Sequence, residues 1–83
     1  MYRIVTHDEV VAQTSALPDH CFSYLQVLAV LELVPWNGEP YSEAKPDGAM
    51  RKLLFGPDGA GEVIYLILEY DRRVELLRVH WIG

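Results

Sequence analysis

Apolar residues gather most densely in two runs near the end of the chain. Val63, Ile64, Tyr65, Leu66, Ile67 and Leu68 make the first run. Val74, Leu76, Leu77, Val79 and Trp81 make the second, and Asp71-Arg72 is the short polar break between them. Runs of β-branched and aromatic residues joined by a tight polar turn predict a β-hairpin over residues 62–81. Their near-continuous apolarity predicts strands covered for much of both faces. Arg78 and His80 interrupt the second strand. A basic pair on a buried strand costs free energy unless it is paired or lies in a wet cleft, so these two residues are the first functional candidates.

The rest of the chain supplies what such a hairpin packs against. Residues 2–5 (YRIV) alternate and predict a short strand. Thr6-His7-Asp8-Glu9 reads as a capping box, opening a short helix over residues 8–16 with Val10, Val11 and Ala12 as its apolar content. Leu17-Pro18 breaks it. A second helix is predicted over residues 18–34, with Pro18 and Asp19 in its first turn. Phe22, Leu25, Leu28 and Ala29 form one apolar side, and Cys21, Tyr24, Val27, Leu31 and Val34 widen it beyond a single stripe. That breadth predicts cover on two sides, by the first helix and the sheet or by a partner chain. Residues 35–48 are a loop dense in Pro, Gly and acids, long enough to suggest a functional or mobile segment. Within it Trp36 is expected to pack, while Tyr41 is left unassigned. Residues 49–55 (AMRKLLF) predict a strand, followed by the glycine-rich loop 56–61. The fold class is therefore α+β: a small, mostly antiparallel sheet of the N-terminal strand plus a C-terminal three-strand meander, with two helices packed on one face.

Composition narrows the function. At 83 residues, 51% of them hydrophobic, the chain is a single domain with a real core. One cysteine, Cys21, and no Cys/His metal spacing predict a reducing compartment and neither metal nor cofactor. The N-terminus lacks a secretory pattern, and no apolar run is long enough to span a membrane, so a soluble cytoplasmic protein is expected. The net charge of −5 opposes non-specific nucleic-acid binding by the whole surface. Its distribution is uneven. Residues 1–44 hold one base, Arg3, against six acids, whereas residues 45–83 hold the other six bases against six acids. An anion site belongs in the second half.

Strand parity then proposes where it lies. Even-length connections would set Tyr65 opposite both Lys52 and Arg78, and Val63 opposite His80. One sheet face would collect Lys52, Tyr65, Arg78 and His80, and the other Leu53, Phe55, Ile64, Leu66, Leu77, Val79 and Trp81. Lys52 and Arg78 offer charge and donors to phosphate oxygens. Tyr65 offers a stacking face, and His80 a proton exchangeable near neutral pH. Those are the functions that RNA phosphodiester cleavage requires. The alternatives are plain: a structural histidine, Arg78 paired with Glu62 or Glu69, Tyr65 as ordinary sheet packing.

The order strand, two helices, loop, three-strand meander resembles the RelE/ParE superfamily of toxins from bacterial type II toxin–antitoxin systems. The resemblance is carried by Tyr2-Arg3-Ile4, the Pro35 to Gly38 loop, Met50-Arg51-Lys52-Leu53, Val63-Ile64-Tyr65 and the closing Val74 to Trp81, and it covers nearly the whole chain as one toxin domain, residues 1–83. It implies a toxin neutralised by a cognate antitoxin. RelE-like members cut messenger RNA in the ribosomal A site, and ParE-like members inhibit DNA gyrase. By position, Lys52 matches the basic residues of the first meander strand, and Arg78 with His80-Trp81 resembles the basic residue and His-aromatic ending of ribosome-dependent RNases. The expectation is a metal-independent endoribonuclease that inhibits translation, with Lys52, Arg78 and His80 catalytic and Tyr65, Arg51 and Trp81 binding substrate. The alternatives are a non-catalytic gyrase-binding toxin and a small interaction module that oligomerises, for instance as a homodimer.

Overall fold

The computed structural model describes residues 1–15, 21–45 and 47–81, with Cys21, Phe22, Ser23 and Pro57 described by their backbone alone. In chain order the elements are β1 (Arg3–Val5), α1 (Asp8–Ser15), α2 (Cys21–Leu33), β2 (Glu39–Pro40), β3 (Met50–Phe55), β4 (Gly61–Leu68) and β5 (Arg73–Trp81). Short 3-10 turns occupy Pro35–Asn37, Pro57–Gly59 and Glu69–Asp71. The sheet order is β1-β5-β4-β3-β2, with β1 parallel to β5 and the other pairs antiparallel. The α+β architecture is the expected one. The two-residue strand β2 is an addition, formed inside the stretch read as loop. The predicted helix start at Pro18 and Asp19 lies outside the described residues, as do the side chains of Cys21 and Phe22.

Each element has a local cause. Asp8 and Glu9 place negative charge in the first turn of α1, where the helix dipole favours it. The His7 carbonyl accepts from the Val11 amide at 3.0 Å, fixing the helix start. Pro35 cannot continue α2 and instead opens a 3-10 turn. β1 pairs with β5 only at Arg73, Val74 and Glu75. Farther along, the Val79 amide donates to Gln13 Oε1 at 2.7 Å, so a side chain of α1 satisfies the strand where β1 has ended.

The core lies between the helices and one face of the sheet. Val10 of α1 and Tyr24, Val27 and Leu31 of α2 pack with Phe55, Val63, Tyr65, Ile67, Val74, Leu76 and Val79. Burying one such aliphatic side chain stabilises the fold by about 1.5–3 kcal/mol. α2 buries only part of its apolar circumference: Leu25 and Leu33 are 55% and 64% exposed, and Ala29 between them is also exposed. Among the described residues nothing in the chain covers these positions, which leaves them to a partner chain, the other predicted cover.

The register differs from the predicted one, for two separate reasons. The loop between β3 and β4 pairs Phe55 with Gly61, so it has odd length, and Lys52 lies opposite Ile64 while Arg51 lies opposite Tyr65. Between β4 and β5 a bulge falls at Ile64/Tyr65: Tyr65 pairs with Leu76 and Ile64 with Arg78, leaving Leu77 as the extra residue. Past the bulge, Val63 pairs with Val79 and Glu62 with His80. Both shifts turn β4 over relative to its neighbours. Val63 and Tyr65 join the core, and Ile64 and Leu66 move to the opposite face. Because the two shifts coincide, Lys52, Arg78 and His80 still share one face.

Candidate functional site

The sheet face turned away from the helices carries its side chains in rows across the strands. Glu39, Lys52, Ile64 and Arg78 form the central row, from β2 to β5. Leu54, Glu62 and His80 form the row on one side, and Met50, Leu66 and Glu75 the row on the other. With strands about 4.8 Å apart, the backbones of Lys52 and Arg78 stand about 10 Å apart across Ile64, and His80 follows Arg78 by about 7 Å along β5. Ile64 is 8% exposed although, among the described residues, no helix covers this face. Lys52 and Arg78 flank it in this row, and long basic side chains commonly shield apolar neighbours with their stems while their charged heads stay in water.

Among the described residues no carboxylate lies within ion-pair distance of Lys52 or Arg78. The two turn arginines differ. Arg72 lies 3.5 Å from Glu69, and Arg73 approaches Asp71 and Glu75. In the central row of this face, Lys52 and Arg78 are thus cations open to an external anion. His80 has a specific partner: its Nε2 is 3.1 Å from Glu62 Oε1, while its Nδ1 is buried without a hydrogen-bond partner. Glu62 thus engages the ring through Nε2.

The other three predicted site residues lie elsewhere. Tyr65, expected on the face of Lys52 and Arg78, is fully buried on the helix side, and its hydroxyl donates to the Pro35 carbonyl at 2.6 Å. Burial pushes the phenol up to about 12, so it remains a proton donor within the fold. A substrate on the outer face cannot reach it. Arg51 is 9% exposed on the same inner side. Its Nη1 donates to the Gly38 carbonyl at 2.8 Å, and its guanidinium lies 4.9 Å from the Trp36 ring centroid. Trp81 packs beside Phe55, with ring centroids 6.0 Å apart, and its ring sits so close to Gly56 that an added Cβ would lie 2.8 Å from it. These residues hold the wall on which the site is built. They also pin the loop after α2, because Tyr65 and Arg51 grip the carbonyls of Pro35 and Gly38.

The sequence reading missed Glu62 as a site residue. The sequence alone makes it one possible partner of Arg78, whereas the register sets it opposite His80. A count that allowed for one bulge in β5 would have brought it forward. Among the described residues no cluster of His, Cys, Asp and Glu could hold a metal ion, and no helix is long and apolar enough to cross a membrane.

No protein-family model matches the sequence, and no curated protein matches it. Solved structures do match. A chain of the intact RelBE toxin–antitoxin complex from E. coli superposes with a TM-score of 0.75 at 12% identity, over 100% of this chain and 99% of that one. The isolated E. coli RelE toxin gives 0.73 at 12% identity, over 100% and 86% of the two chains. A chain of the archaeal RelE–RelB complex from Pyrococcus horikoshii gives 0.65 at 24% identity, over 99% and 96%. The likeness runs through every element, from β1 to β5, and at these identities it is a likeness of fold. The chain has the fold of the RelE toxins.

Proposed function

We propose that this chain is the toxin of a type II toxin–antitoxin system, acting in the cytoplasm, and that it inhibits translation by cutting messenger RNA on the ribosome. The observation that supports the reading is the placement of Lys52 and Arg78 in one row on the sheet face away from the helices of a RelE fold, with no carboxylate within ion-pair distance of either among the described residues. Two cations flanking an apolar residue suit a phosphodiester that lies across the strands. In the reaction the ribose 2′-oxygen attacks phosphorus, the bond to the 5′-oxygen breaks, and a cyclic phosphate and a 5′-hydroxyl result. Lys52 and Arg78 stabilise the charge that builds on the phosphoryl oxygens. His80 and Glu62, whose Nε2 and Oε1 lie 3.1 Å apart on the same face, handle the proton. These protein groups supply the charge and proton transfers without a metal.

A cognate antitoxin is the natural partner. The complexes named above pair a RelE chain with RelB, and the exposed Leu25 and Leu33 of α2 are apolar residues that a partner segment could cover. The test is direct. Purified chain is added to translating ribosomes, and messenger RNA ends are read by primer extension. The reading expects new 5′ ends within the codon in the A site. Intact messenger at full translation rate rejects it.

A further inference from the structure

Beside the central cation row, the outer face carries a second feature that the proposed reaction does not use. A cleft of about 470 Å³ opens between the loop after β2 and the sheet, lined by Tyr41, Lys45, Ala49, Met50 and Leu66. Met50 and Leu66 are cross-strand partners one row from Lys52 and Ile64, so the cleft begins about 7 Å along β3 from Lys52. Tyr41 continues β2, its amide donating to the Met50 carbonyl at 3.0 Å, and its side chain is 50% exposed. The loop is held in place by its own turns: the Lys45 amide donates to the Ser42 carbonyl at 3.0 Å, and the Gly48 amide to the Lys45 carbonyl at 2.9 Å.

Its lining selects a ligand class. The floor is apolar, one wall is aromatic, and among the described residues Lys45 is the one charged residue in the lining. That largely apolar lining favours a flat, largely uncharged group. Resting on the proposed function, we infer that this cleft is a nucleobase subsite, in which a base next to the scissile phosphate of single-stranded RNA stacks on Tyr41 over Met50 and Leu66. The cation row binds the backbone and the cleft binds the base, so one face of three strands and a loop reads one nucleotide step. Stacking on an aromatic side chain accepts any base, because every base presents a π-face.

The test uses ribosomes programmed with a short synthetic messenger RNA, either intact or carrying one abasic nucleotide at successive positions beside the cut. For the wild-type chain, removing the stacked base is expected to slow cleavage about tenfold. Tyr41→Ala is expected to cut the intact RNA about tenfold more slowly and to be indifferent to that base, while Tyr41→Phe behaves as wild type. Tyr41 is a half-exposed loop residue, so circular dichroism of Tyr41→Ala should match wild type. Wild-type rates for Tyr41→Ala, or equal sensitivity of both proteins to base removal, overturn the subsite and leave the RNase reading standing. If the wild-type chain cuts none of these RNAs, the RNase reading falls and the subsite with it.

Discussion

Glu62 and His80 face each other across β4 and β5, with Oε1 3.1 Å from Nε2. The carboxylate fixes the ring, and both side chains lie on the face that carries Lys52 and Arg78. Loss of a positioned acid–base group costs about 10²- to 10⁴-fold in rate. His80→Ala is therefore expected to lower single-turnover RNA cleavage by that range. Glu62→Gln keeps the shape and a hydrogen-bonding oxygen but not the charge, and should cost less. Single-turnover rates on programmed ribosomes decide this, and wild-type cleavage by His80→Ala would remove the residue from the mechanism.

Tyr65 and Gly38 form the second testable pair. The Tyr65 hydroxyl bonds the Pro35 carbonyl, and a Cβ on Gly38 would fall on that hydroxyl and 2.8 Å from the Lys52 carbonyl. Tyr65→Phe leaves a buried carbonyl without this donor, a loss of about 1–3 kcal/mol. Gly38→Ala must displace backbone or ring, at a cost of about 1–3 kcal/mol. Each kcal/mol should lower the melting temperature by roughly 4–8 °C in a domain of this size. Thermal unfolding followed by circular dichroism reads both variants. An unchanged melting temperature for Gly38→Ala would show that the loop after α2 is not held against Tyr65.

Glu69 ties three segments together. It accepts from the Tyr2 hydroxyl at 2.6 Å and from Trp36 Nε1 at 2.8 Å, and Arg72 lies 3.5 Å away. The bond from Tyr2, then that from Trp36, holds its carboxyl below the usual value of 4.5. A carboxylate with a depressed folded-state pKa adds stability above its unfolded pKa and loses it as pH falls through the folded value. Wild type should therefore exceed Glu69→Gln in melting temperature above about pH 5, with the gap closing as acid protonates the group. A gap independent of pH would mean that Glu69 acts through packing alone.

Much of this was legible from residue order. The two apolar runs specified the hairpin, Pro35 ended α2, and the three cations and histidine of interest were located on the correct strands. The faces were harder, because parity fails wherever one residue is added. The odd loop after Phe55 and the bulge at Leu77 each turned β4 over, exchanging Tyr65 for Ile64 on the outer face. Neither leaves a clear mark in local composition, since Leu77 looks like its neighbours. Arg51 and Lys52 are adjacent and chemically alike, so only register could show that one is buried against Trp36 and the other faces outward. The strand β2 was hidden for another reason: two residues, one of them proline, carry no periodicity.

The central claim is that Lys52 and Arg78 together hold a scissile phosphate on the uncovered sheet face. Its most direct measurement is transcriptome-wide mapping of messenger RNA 5′ ends after induced expression of wild type, Lys52→Ala, Arg78→Ala and the double variant, with folding of each checked by circular dichroism. Wild type should produce in-frame cuts and stop growth, each single variant should cut far less, and the double variant should leave messenger intact. Wild-type cutting by the folded double variant would contradict the account.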